Sequence, residues 1–158
     1  MPSDSYLRLV PPSIADAIVQ STSDARHRFA VACANAAVEH CARARLGIDD
    51  GAEMTIAELR DQAWAASEAR EREAIDRILA RREDHLYTLV CELRSNDAEA
   101  PYSEFMRLAT QRHAVRALRA ALLPDGLSAA CRAAFETISA TRNEQHIEEL
   151  ARATMGVS

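Results

Sequence analysis

Phe29-Ala30-Val31-Ala32-Cys33-Ala34-Asn35-Ala36-Ala37 decides the fold of this chain. Alanine has the highest intrinsic helix propensity, and the stretch contains neither glycine nor proline to interrupt a helix. Phe29, Cys33, Ala36, His40 and Ala44 follow one another at three- and four-residue spacing, which places them on one helical face. Ala30, Ala32, Ala34 and Ala37 keep the flanks small, so neighbouring axes can approach toward the ~8 Å limit of helix packing. The stretch therefore predicts a central helix. Thr22-Ser23-Asp24 supplies its N-cap, and Gly47 suits the position just beyond its end.

The pattern continues outward in both directions. Pro11-Pro12 opens a short helix with Ile14, Ala17, Ile18 and Val19 on its apolar side. Residues 1–10 read as an extended N-terminal segment. Downstream, Thr55-Ile56-Ala57-Glu58 is a capping box, and no proline or glycine follows until Pro101. One continuous helix over residues 55–94 would be about 60 Å long. A compact domain of this size is roughly 40 Å across. Such a helix therefore either bends near Ser67–Glu73, where the apolar stripe fades, or overhangs toward a second chain. The helix-forming residues and the Glu68–Arg72 and Glu73–Arg77 pairs favour continuity.

A further helix begins at Pro101 with Phe105, Leu108, Val115, Leu118 and Leu122. After Pro124-Asp125-Gly126 comes another, with the seam Leu127, Cys131, Ala134 and Ile138. Thr141-Arg142-Asn143-Glu144 reads as a capping box that starts the last helix. No segment alternates like a strand. The expected fold is all-α: a single domain over residues 1–158, an antiparallel helical bundle of four main helices with short terminal helices.

Composition narrows the chemistry. Every basic side chain other than histidine is an arginine; there is no lysine. That excludes a phosphate loop ending in Gly-Lys-Ser/Thr, a lysine Schiff base and a pyridoxal anchor. A GC-rich bacterial genome accounts for the bias. The net charge of −5 disfavours non-specific nucleic-acid binding. The helix after Pro124-Asp125-Gly126 carries Arg132 as its single base, too few polar groups to read a DNA groove. No apolar run approaches the ~20 residues of a membrane span, and Met1-Pro2-Ser3-Asp4 does not open a signal peptide. Cys33, Cys41, Cys91 and Cys131 fall within helical patterns and read as reduced core thiols, which implies the cytoplasm.

No motif for a cofactor or a metal centre is present; His146 and Glu149 alone could supply two ligands, too few for a site. His40 and Cys41 are neighbours pointing about 100° apart, unsuited to nucleophilic catalysis. The strongest candidate surface is Arg112, Arg116 and Arg119, at i, i+4 and i+7 on one helix face, with His113 adjacent. It suits an acidic partner segment or a phosphate group, or it pairs with the acidic middle third of the chain. Trp64 is either an interface anchor or a large core residue. These features lead to a non-enzymatic interaction protein that binds a protein partner or self-associates, in the manner of an immunity protein, an antitoxin or a scaffold. A small-molecule-binding helical domain is the alternative. A helical enzyme whose site is assembled from distant residues is the third reading.

Overall fold

The computed structural model describes residues 3–43, 54–96 and 102–156. It is all-α. Eight helices occur among the described residues: α1 (Ser3–Leu7), α2 (Pro12–Gln20), α3 (Ser23–Arg43), α4 (Ile56–Ala65), α5 (Ala69–Asn96), α6 (Tyr102–Ala121), α7 (Gly126–Thr141) and α8 (Glu144–Met155). None of them is long and apolar enough to cross a membrane.

Helix α6 lies among α3, α5 and α7 and runs antiparallel to all three. Successive contacts with α5 pair Arg94 with Phe105, Tyr87 with Arg112, Glu83 with Arg116 and Asp76 with Arg119. Toward α3, His27 meets the Leu123 carbonyl while the Cys41 thiol meets that of Thr110. Toward α7, His113 meets Glu136 and Met106 meets Arg142. Helices α3 and α7 run the same way, with Gly126 beside Ser23 and the Thr137 hydroxyl donating to the Cys33 carbonyl at 3.0 Å.

The alanine-rich stretch forms the centre of α3, as its spacing predicts. Phe29, Ala30, Cys33, Ala34 and Ala37 are fully buried, and His40 lies at the edge of the core. Ala44 and Gly47 lie outside the described residues. Helix α7 is still more enclosed, with alanines, Cys131, Glu136 and Thr137 buried around its circumference. Gly126 opens α7 because a Cβ there would meet the Ser23 Oγ at 3.0 Å and its carbonyl oxygen at 3.1 Å.

Four sequence expectations need correction. The N-terminal segment is not extended where it is described: residues 3–7 form α1, because Tyr6 buries itself edge-on against Phe135 of α7, with ring centroids 5.7 Å apart. The continuity that local propensity favours over 55–94 is not adopted either; the chain takes the other outcome, a break beside Ser67–Glu73. Helix α4 ends at Ala66, which has extended backbone, and α5 restarts at Ala69. Residues 67–74 are all exposed, so a straight continuation would gain helix propensity but bury nothing. The new N-terminus is secured by the Glu71 carboxylate, which accepts from the backbone N–H groups of Ser67 at 2.8 Å and Glu68 at 3.3 Å. Those bonds lower the Glu71 pKa.

The third correction concerns the last helix. Its N-cap is Asn143, whose side chain accepts from the His146 N–H at 3.1 Å. Thr141 instead donates back to the Thr137 carbonyl. Arg142 closes α7 in the left-handed conformation, with φ 54°. The fourth is Cys91, which is exposed on α5 rather than part of the core. Val19 is exposed as well. The capping box predicted at Thr55 and the N-cap predicted at Thr22 are present.

Candidate functional site: two grooves beside helix α6

The arginine stripe does not form one continuous outer face. The antiparallel α5–α6 packing divides it between two grooves. Arg116 and Arg119 line the first, a cavity of about 390 Å³ beneath the α6–α7 turn. Arg112 and His113 line the second, about 410 Å³, between α5, α6 and the end of α7.

In the first groove Arg116 and Arg119 are both matched by carboxylates. Arg119 Nε donates to Asp76 Oδ1 at 2.9 Å, and its Nη1 donates to Glu83 Oε2 at 2.8 Å. The hydrogen bond to Asp76 is the main cause that raises the Arg119 pKa further above its ordinary range. Arg116 Nε lies 3.0 Å from Glu136 Oε1 and 3.7 Å from Glu83 Oε1. Asp76 and Glu83 are seven residues apart on α5, on the face turned toward α6. This part of the stripe thus pairs with the acidic middle third of the chain. The floor is apolar, made by Ala120, Leu122, Leu123 and Pro124, with Tyr6 of α1 beside it.

The second groove differs in charge. Its lining includes Arg94, Arg112, Arg142 and His113, and among the described residues it holds no aspartate or glutamate. Two of these guanidiniums rest on aromatic faces: Arg94 lies 4.7 Å from the Phe105 ring centroid and Arg112 4.9 Å from that of Tyr87. The third, Arg142, directs Nη2 to the Met106 sulfur at 3.8 Å. Two carboxylates reach this group from outside the lining: Glu136, 2.6 Å from His113 Nδ1, and Glu83, 3.8 Å from Arg112 Nη2. Nε of Arg112 is buried without a hydrogen-bond partner.

His113 joins the two grooves. Its Nδ1 donates to Glu136 Oε2 at 2.6 Å, a direction required because an ionised carboxylate only accepts. Glu136 is 2% exposed, accepts from His113 and forms an ion pair with Arg116, so its buried charge is compensated on two sides. The bond fixes the ring orientation and leaves Nε2 as its remaining polar atom. Ser139 shares the groove, but its hydroxyl donates to the Phe135 carbonyl at 2.9 Å.

Trp64 stands apart from both grooves. It is partly buried against the core, and its indole N–H donates to Asn35 Oδ1 at 2.8 Å, fastening α4 to α3. His146 and Glu149 are 3.8 Å apart on α8. Among the described residues, no group of three or more His, Cys, Asp or Glu side chains converges as a metal site would require. The sequence reading missed Arg94 and Arg142. Neither lies on the α6 stripe, and only the packing of three helices brings them beside Arg112. Comparison with protein-family models, with curated proteins and with solved structures yields no match.

Proposed function

We propose that this chain is a non-enzymatic binding protein that takes an acidic segment of a protein partner in the groove formed by Arg94, Arg112, His113 and Arg142. The observation that carries this reading is the charge of that groove. Three arginines converge from three helices, and no carboxylate lines the space, in a chain whose net charge is −5. Farther along α6, Arg116 and Arg119 are matched to close carboxylates. Guanidiniums resting on aromatic and thioether surfaces retain donors to offer a ligand. Tyr87, 53% exposed, adds an apolar rim of the type enriched at interfaces.

A fluorescein-labelled peptide of alternating glutamate and serine tests the reading by fluorescence anisotropy. Binding should weaken as salt rises. The triple variant Arg94→Gln/Arg112→Gln/Arg142→Gln should lose about tenfold or more in affinity. Arg152→Gln, on the exposed side of α8, serves as control. Binding that the triple variant leaves intact would rule the groove out.

The apolar floor beside the Arg116–Arg119 network supports a second reading, a small amphipathic ligand held beneath the α6–α7 turn. A defined metabolite that raises the melting temperature of the wild type, but not of Leu123→Arg, would favour it.

A further inference from the structure

Resting on the reading of the second groove as an anion site, we propose that the acidic group it is built for is a phosphate monoester on the partner segment. The argument is one of charge and donor count. A carboxylate carries one negative charge and two oxygens, and a single guanidinium fork satisfies it. A phosphate monoester carries roughly −1.5 to −2 and three acceptor oxygens. Arg94, Arg112 and Arg142 approach the same space from α5, α6 and the end of α7. One carboxylate would leave most of their donors and much of their mutual repulsion uncompensated. Phosphate oxygens can engage several forks at once.

Two further features agree. The space of about 410 Å³ admits one phosphorylated side chain. Arg142 also occupies a left-handed backbone position, φ 54°, where glycine or asparagine would be less strained. Strain of this kind persists where the side chain serves a purpose. Here it sets the arginine at the mouth of the groove.

The experiment uses the full chain at pH 7.5 and calorimetric titration with four probes. These are an acidic peptide bearing one phosphoserine, the same peptide with serine, the same with glutamate, and inorganic phosphate. The phosphoserine peptide should bind about tenfold or more tightly than the glutamate peptide. Arg142→Gly, which the left-handed backbone accommodates, and Arg112→Gln should each bring the two peptides to similar affinities. Equal binding of the phosphoserine and glutamate peptides by the wild type would overturn the phosphate inference while leaving the acidic-segment reading in place. No binding of either peptide would overturn both. Inorganic phosphate binding as tightly as the phosphopeptide would overturn the assignment to a partner segment and point to a phosphate-bearing small molecule.

Discussion

The His113 ring and the Glu136 carboxylate, on neighbouring antiparallel helices, share a 2.6 Å hydrogen bond in the wall between two grooves. One partner is buried and the other reaches the surface. Arg116 completes the arrangement from the opposite side of the carboxylate. The pair therefore couples the stability of the α6–α7 contact to the placement of a groove side chain.

Removing Glu136 should be costly. Glu136→Ala leaves His113 and Arg116 without their buried partner, and losing one member of such a pair typically costs 3–5 kcal/mol, here about 3 because both donors reach solvent. Urea denaturation should show a lower midpoint. Glu136→Gln, which keeps the shape and one acceptor oxygen, should recover part of the loss.

Close packing of α3 gives a second expectation. Ala34 is fully buried, and Ala34→Leu forces additional carbon atoms into a filled space, at about 1–3 kcal/mol. An unchanged unfolding midpoint would show that α3 has slack on that side.

Trp64→Ala should destabilise the protein by roughly 3 kcal/mol, the lower end for a large aromatic, because the ring is only partly buried. Trp64→Phe should cost about 1 kcal/mol, mainly for the lost bond to Asn35. Elution volume in size-exclusion chromatography should be unchanged for both. A shift in elution would restore the view of Trp64 as an interface anchor.

Thiol reactivity offers a direct check on the core. Burial pushes the Cys41 thiol up to about 11 and that of Cys33 higher still. The reactive thiolate is therefore scarce at both sites near neutral pH. Cys91 is exposed. Iodoacetamide at pH 8 should modify Cys91 in the native protein and reach Cys33, Cys41 and Cys131 only after denaturation.

Two helix starts should fail in acid. Hydrogen bonding from Ser128, first through its hydroxyl, lowers the Asp125 pKa; the backbone N–H of Ser67 is the main cause for Glu71. Their folded-state values lie below the unfolded ones, so the unfolded chain binds more protons in that window. Their stabilisation is complete above the ordinary carboxylate value of about 4 and is lost as pH falls through the folded values. Asp125→Asn keeps an N-cap acceptor and should flatten part of that acid limb in a denaturation series.

Helix existence was legible because periodicity and caps agree locally: Phe29–Ala37, Thr55–Glu58 and the Pro12 start all appear as read. The break at Ala66–Glu68 was legible only as one of two outcomes: the fading apolar stripe and the length pointed to it, while the good helix formers there pointed to continuity. Helix α1 was missed because its cause is tertiary: five residues cannot hold a helix alone, and Tyr6 docking on Phe135 does. The site was half legible. Arg112 and His113 stand out by spacing on α6. Their separation from Arg116 and Arg119 depends on which acids α5 presents, and Arg94 and Arg142 join them only across helices.

The groove is most directly tested by following arginine side-chain Nε–H resonances by NMR while the acidic peptide is titrated into ¹⁵N-labelled protein. The account predicts that signals of Arg94, Arg112 and Arg142 shift in a saturable manner, together with the His113 ring, while those of Arg116 and Arg119 stay in place. Saturable shifts confined to Arg116 and Arg119, or none at any of the five arginines, would contradict it.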